Sequence, residues 1–254
     1  MHGRELNLSN PRTFTEKLAW MKVYDSTFLK TFAADKFTVH EYYALKLGKD
    51  IGIKPIGIYN NVDEINWDKL PNDIVIKCNH GSGYNKILHG KRKIDLDTVV
   101  SSCKEWLSTD YSSLWGELHY KPIPRKIIIE PYIGELTDTK LFCFNGIPRF
   151  YQIDRHFSEH RMNFYDMSGN PLTWLSRASY PADYTISDPV PHNLNIMAAM
   201  AVKLAKPFKF VRVDFYNCGT DIYGGELTFI PGGANQSYIG DGDERLGAFL
   251  KLTE

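Results

Sequence analysis

The sequence predicts an α+β (mixed α/β) fold, on three observations. Helical patterns occupy the chain before Pro55, whereas short apolar runs of strand character dominate from Asp73 onward. The order is irregular: helices, then strand–loop–helix–strand, then a mostly antiparallel strand set with one long helix. Neither a GxGxxG fingerprint nor a Walker A loop occurs, because Gly81-Ser82-Gly83 is not followed by Gly-Lys-Ser/Thr at the needed spacing.

Thr13-Phe14-Thr15-Glu16 has the spacing of a capping box and follows Pro11, with Leu18, Met21 and Val23 giving a mainly apolar face. Asp35 is placed to cap a second helix running to Gly48, a glycine suited to the position just past a helix. Asp73 to Cys78 is a β-rich run, and a helix is expected from near Asp95 through Trp106. Lys126-Ile127-Ile128-Ile129-Glu130 reads as a strand buried on both faces. Lys140 to Ile153 reads as two strands turning at Asn145-Gly146, a hairpin signal. Asn163 to Asp166, with Ser168-Gly169 after it, forms a further strand and turn. A helix over Asn193 to Lys206 is halted by Pro207. Phe210 to Tyr216 and Tyr223 to Phe229 make a last strand pair, and a short helix near Arg245 to Leu252 closes the pattern.

The 254 residues suit one domain or two intimate lobes. Lysine plus arginine and aspartate plus glutamate both number 30, so bulk charge points to no nucleic-acid partner. No apolar run has bilayer-spanning length, and the start MHGRELNLSN lacks the apolar centre of a signal peptide. Cys78, Cys103, Cys143 and Cys218 form no CxxC pair, which argues against a zinc or redox motif. Buried free thiols and a reducing, cytoplasmic setting are expected. The 13% aromatic content suits a sugar-binding cleft or a large core, and Trp106 and Trp115 read as packing residues.

Three stretches carry chemistry. In Lys77-Cys78-Asn79-His80-Gly81-Ser82-Gly83-Tyr84-Asn85 a lysine leaves a strand and a glycine-bearing loop follows; such a loop can cradle phosphate, or be a plain βα turn. In Arg212-Val213-Asp214-Phe215, strand periodicity puts Arg212 and Asp214 on one face. In Gly225-Glu226-Leu227-Thr228-Phe229-Ile230-Pro231-Gly232, Glu226 and Thr228 also share a face. If those two strands pair, Asp214 and Glu226 meet across the ladder, and two adjacent carboxylates call for a cation such as Mg²⁺. The alternative for each strand is a solvated face. Asp241-Gly242-Asp243 reads as a solvated turn rather than a nucleotide-sugar metal motif.

Taken together these stretches resemble the ATP-grasp superfamily, and more closely its TupA-like family, linked to teichuronopeptide and surface polysaccharide synthesis. The resemblance extends to Asn10-Pro11-Arg12-Thr13-Phe14-Thr15-Glu16-Lys17-Leu18, Phe142-Cys143-Phe144-Asn145-Gly146 and Asn163-Phe164-Tyr165-Asp166, and so covers nearly the whole chain. It implies two α+β lobes clasping ATP: a helical segment over 1–58, a small lobe over 59–133 and a large lobe over 134–254. It implies a nucleotide-contacting Lys36, Lys77 near the α-phosphate and adenine, and a loop of His80, Gly81, Ser82 and Gly83 up to Asn85 over the β- and γ-phosphates. Glu130, Tyr132 and Ile133 resemble the adenine hinge, with Glu135 or Asp138 at the ribose. Lys140 matches the later phosphate lysine and Arg212 the arginine that steadies the transferring phosphoryl group. Asp214 and Glu226 match the metal carboxylates.

Two departures stand out. Thr228 replaces the asparagine that many of these ligases carry two residues after the metal glutamate, and the segment before the small lobe is short for a leading Rossmann-like domain. The implied activity is Mg²⁺-ATP-dependent carboxylate–amine ligation through an acyl phosphate. Its substrates would be a uronic-acid or glutamyl carboxylate and an amino acid or amino sugar, alongside polysaccharide-biosynthesis enzymes. Arg149, Arg155 and Arg161 are candidates to grip an acidic substrate, and His156 and His160 to move protons. The competing readings are a kinase-like ATP-grasp enzyme, a glycosyltransferase, and a non-catalytic nucleotide- or glycan-binding module.

Overall fold

The computed structural model describes residues 5–90, 96–134, 137–155, 161–185, 188–218 and 220–253. Asp95, Glu135, His156 and His160, and the side chains of Arg155 and Arg161, lie outside the described residues.

Helix α1 (Phe14–Tyr24) opens with the expected capping box: the Thr13 hydroxyl accepts from the Glu16 amide, and the Glu16 carboxylate accepts from the Thr13 amide. Leu18 and Met21 are buried, but Val23 is exposed and does not join that face. The helix expected from Asp35 to Gly48 begins only at Val39, Asp35 does not cap it, and a further helix that sequence reading did not identify precedes it. α2 (Phe28–Ala34) is capped by Thr27, and α3 (Val39–Leu47) ends at Gly48 with φ 78°. Asp35 sits at the end of α2 and uses its carboxylate on the amides of Phe37 and Asn79. The composition of α2, with two phenylalanines and no first-turn acid, hid its start from sequence reading.

Two antiparallel sheets follow. The smaller has the order β1-β4-β2-β3, from β1 (Gly57–Tyr59), β2 (Ile74–Cys78), β3 (Asn85–Leu88) and β4 (Ile127–Pro131). Helix α4 (Leu96–Ser108) packs Val99, Cys103 and Trp106 into one core with Ile74, Ile76, Ile127 and Ile129 of this sheet. The short α5 (Tyr111–Trp115) follows.

The larger sheet has the order β7-β6-β5-β8-β9. Its strands are β5 (Thr137–Phe144), β6 (Ile147–Arg155), β7 (Arg161–Asp166), β8 (Phe210–Cys218) and β9 (Asp221–Thr228). The β5–β6 turn is the expected one, with Asn145 at φ 49° and Gly146 at φ 80°. Helix α6 (Leu194–Ala205) lies across β5, β6 and β8. Phe14 of α1 enters an aromatic cluster with Phe142, Phe144, Phe150, Phe164 and Phe210, so the N-terminal helices share the larger sheet's core. Helix α7 (Gly242–Phe249) begins three residues earlier than expected and packs on α1. Asp243 is not in a solvated turn: its carboxylate accepts from the amide and hydroxyl of Thr15, joining α7 to α1. Cys78, Cys103 and Cys143 are buried free thiols, whereas Cys218 is exposed.

Candidate active site

Polar residues on one face of the larger sheet converge on Lys140 and Arg212. Antiparallel partners point to the same face, so Lys140 on β5 is flanked by Asp214 on β8 and Gln152 on β6. The Lys140 ammonium is bonded to Asp138 and lies 3.2 Å from Asp214 and 3.6 Å from Asp154. Burial, the largest single influence, would lower its pKa, but the surrounding Asp214 and Asp138 raise it. Gln152 donates to Asp154 and accepts from the buried Arg177 at 3.0 Å.

The other arm of the site is the β8–β9 pair. Arg212 faces Thr228 in the ladder, and the register shifts between Val213 and Phe215, which leaves Asp214 beside Gly225 and Glu226. The Arg212 fork donates to Asp214 through Nε at 2.7 Å and Nη2 at 2.5 Å. The same Nη2 lies 3.2 Å from Glu226 Oε1 and 3.0 Å from Thr228 Oγ1. One cationic nitrogen therefore sits at the common focus of two carboxylates and a hydroxyl. Burial would raise the Glu226 pKa, but Lys36, Arg212 and Lys140 together bring it down to about 2.

From the smaller sheet, Lys77 forms an ion pair with the buried Glu130 at 2.7 Å. The loop after Lys77 links β2 to β3, so it is a hairpin loop and not a βα turn; the Cys78 amide donating to the Tyr84 carbonyl closes it. Lys36 spans the two sheets. Its ammonium donates to the Gly81 carbonyl at 2.5 Å and lies 3.6 Å from Glu226. Ser82 and Gly83 line an open cleft of about 270 Å³ with Arg212, Glu226 and Thr228. His80 turns under the loop instead, 2% exposed, against Tyr84 and 3.3 Å from the Thr109 carbonyl. Burial lowers its pKa. Tyr132 stacks edge-on against His89 with its amide on the Asp73 carbonyl, and Ile133 is half-buried in the strand-to-strand link. Burial, with Asp214 and Asp154 nearby, raises the Asp138 pKa to about 6 against the pull of Lys140.

Sequence reading missed four contributors. Asn79 is fully buried and pins the loop to Asp35, Pro124 and Lys126. Gln152, Asp154 and Arg177 extend the polar row; only the alternation of Gln152 and Asp154 on β6 hinted at them. Trp115 is no packing residue: it is 45% exposed and lines the cleft, while Trp106 is buried as expected. Arg149 packs over Phe249, away from this row.

These donors fit Mg²⁺ and a nucleotide. Two carboxylates and a hydroxyl are hard oxygen ligands, and Arg212 Nη2 already places positive charge at their focus. Among the described residues no group of three or more His, Cys, Asp or Glu is arranged to hold a metal. Phosphate oxygens and water suit the remaining positions of such an ion. No helix among the described residues is long and apolar enough to cross a membrane.

Two antiparallel sheets, with Lys140 beside Asp214, Lys36 beside Glu226 and Lys77 beside Glu130, are the arrangement of an ATP-grasp class of protein. A family model described as TupA-like ATPgrasp matches residues 16–251, and the chain belongs to that family. No curated protein matches it by sequence. Among solved structures, the D-alanine–D-alanine ligase of Bacillus anthracis complexed with ATP is 18% identical over 79% of this chain and 56% of its own, with a TM-score of 0.47. The D-alanine–D-alanine ligase of Helicobacter pylori is 12% identical over 96% of this chain and 68% of its own, with a TM-score of 0.47. The N5-carboxyaminoimidazole synthetase of Staphylococcus aureus complexed with ADP is 11% identical over 79% of this chain and 45% of its own, with a TM-score of 0.46. The chain thus spans roughly half to two thirds of the lengths of these proteins.

Proposed function

We propose that the chain is an ATP-dependent carboxylate–amine ligase that modifies a surface polysaccharide or its precursor. The observation that carries this reading is the focus at Arg212, where Asp214, Glu226 and Thr228 meet beside Lys140 and Lys36. Lys36, Lys77, Ser82 and Gly83 would hold the phosphates, and Glu130, Tyr132 and Ile133 the adenine. Asp138 or Glu135 would take the ribose. Asp214, Glu226 and Thr228 would hold Mg²⁺, which supplies charge neutralisation at the transferring phosphoryl group.

A substrate carboxylate oxygen attacks the γ-phosphorus and ADP leaves. An amine then attacks the carbonyl carbon of the acyl phosphate, and phosphate departs as the amide forms. Arg212 and Lys140 would serve by position and charge, their guanidinium and ammonium offsetting the negative charge that spreads during both steps. The three lysines are now paired with carboxylates, so substrate phosphates would take over those partners. Polysaccharide chemistry, with a uronic or glutamyl carboxylate as acceptor, follows from family membership alone.

Calorimetric titration of Mg²⁺-ATP into wild type, Lys77→Ala and Glu226→Gln tests the site. Wild type is expected to bind only with metal present, and each variant to lose tenfold or more in affinity with an unchanged circular-dichroism spectrum. A folded wild type that binds no nucleotide would falsify the reading. Product analysis then separates ligase from kinase: ADP, phosphate and an amide against a stable phosphoester.

A further inference from the structure

The cleft beside Arg212 contains a carboxylate that nothing above uses. Glu117 follows α5 and is 4% exposed, yet it lines this cleft with Tyr111, Trp115 and Tyr120. Its nearest basic group, His119 Nε2, is 3.8 Å away. Burial brings the His119 pKa down to about 3, so that imidazole is neutral at pH 7. Lys22 and Lys36 act on it through space without forming an ion pair, and the Lys22 ammonium donates to the carbonyls of Trp115 and Gly233, at 2.6 and 2.5 Å. Among the described residues no cation lies within ion-pair distance of Glu117 apart from that neutral histidine.

A buried carboxylate with no cation in direct contact is costly, and this one lines a cleft. The cleft walls beside it are the rings of Tyr111, Trp115 and Tyr120, with Tyr111 and Tyr120 packed edge to face at 5.2 Å. Aromatic walls with a carboxylate at the floor match a cationic head group, because ring faces and carboxylate both attract positive charge. Arg212, Glu226 and Thr228 line the same cleft. The cleft therefore holds the Glu117 carboxylate and, among its other lining residues, the Arg212 guanidinium that Asp214 and Glu226 already pair.

We propose that Glu117, walled by Tyr111 and Trp115, is the subsite that receives the ammonium of the amine substrate, an amino acid or amino sugar. The assignment rests on the ligase reading above and adds the group that holds the amine. The carboxylate substrate reacts beside Arg212, and the amine is held in the same cleft. The groups facing Glu117 are Lys22 from α1, Tyr111 from α5, His119, Lys36 and Glu226 from β9.

The test is a titration of glycine and glucosamine, each beside its N-acetyl derivative, into wild type, Glu117→Gln and Glu117→Asp. Tryptophan fluorescence is the signal and Trp115→Phe the blank. It is run with and without Mg²⁺ and a non-hydrolysable ATP analogue. Wild type is expected to prefer at least one free amine over its N-acetyl form by about tenfold or more. Glu117→Gln should abolish that preference and Glu117→Asp retain part of it, with nucleotide affinity within about twofold of wild type and normal thermal unfolding. The proposal is overturned if Glu117→Gln keeps the preference, if neither free amine is preferred, or if the variant changes only the Mg²⁺ requirement. The arm with nucleotide analogue reports separately on the ligase reading. Absent nucleotide binding defeats that reading, whereas an intact nucleotide site with no role for Glu117 defeats this one alone.

Discussion

Glu117 and Glu226 share a cleft and have opposite electrostatics. Lys36, Arg212 and Lys140 outweigh burial at Glu226 and hold it at about 2. At Glu117 burial dominates; Lys22 pulls the pKa down, Glu226 pushes it up, and it rises to about 7. The ordinary glutamate value of 4.5 applies to the unfolded chain. The raised folded value means that the native state binds more protons between those limits. The Glu117 contribution to stability is complete below about pH 4.5 and is lost as pH rises through 7. Unfolding free energies of wild type and Glu117→Gln, measured by urea denaturation from pH 4.5 to 8.5, should diverge by up to about 3 kcal/mol, with the wild type losing relative stability. The difference isolates Glu117 from His119, whose depressed pKa acts in the opposite sense: its contribution is complete above 6.5 and is lost as pH falls toward 3. Parallel pH profiles would mean that Glu117 is solvated as an ordinary carboxylate.

At the scale of elements, two irregularities in the larger sheet build the site. Across the β5–β6 hairpin the register shifts between Phe142 and Cys143, and this brings Gln152 and Asp154 onto the face of Lys140. Counting back from Asn145-Gly146 without the shift would set Lys140 against Tyr151 and turn both polar residues to the other face. In the β8–β9 pair the shift falls next to Asp214. There β9 runs as Gly224-Gly225, because side chains do not fit: a Cβ on Gly224 would lie 2.6 Å from the Tyr43 ring of α3. Tyr43 is buried and cannot swing away. Gly224→Ala should therefore cost about 1–3 kcal/mol by overpacking, measured as a lower denaturation midpoint at unchanged slope. It should also weaken Mg²⁺-ATP binding, because Glu226 moves with the strand. A variant as stable as wild type would show that α3 yields at this contact.

The whole molecule has two cores, with Tyr84 packed against both and polar contacts of Lys36 and Asn79 between them. The smaller sheet has its own cluster around Ile76, Trp106 and Ile129, and the larger sheet shares its cluster with α1 to α3. Lys36 reaches from the end of α2 to the Gly81 carbonyl and toward Glu226, so it couples the hairpin loop to the carboxylate pair. A nucleotide bridging the same groups stabilises the folded chain by mass action, about 2.7 kcal/mol at a hundredfold excess over Kd. Thermal unfolding should shift upward with Mg²⁺-ATP in wild type. In Lys36→Ala the shift should shrink, and amide exchange in residues 79–84 should quicken without nucleotide. An equal shift in both proteins would remove Lys36 from the nucleotide site.

Much of this protein is local, and the sequence alone determined it. The capping box at Thr13, the Asn145-Gly146 turn, the triple-isoleucine strand and the α+β class all depend on contacts within a few residues. So does the one-face placement of Arg212 with Asp214 and of Glu226 with Thr228, because a strand alternates by twos. The ordered motifs also carried the family. Tertiary structure decided the rest. Register shifts decided which polar residues join Lys140, and the hairpin path decided that the glycine loop joins two strands. The late start of the predicted second helix, the exposure of Trp115 and the burial of Glu117 each depend on neighbours distant along the chain. Burial and cross-strand register are properties of packing, and no window of sequence contains the groups that set them.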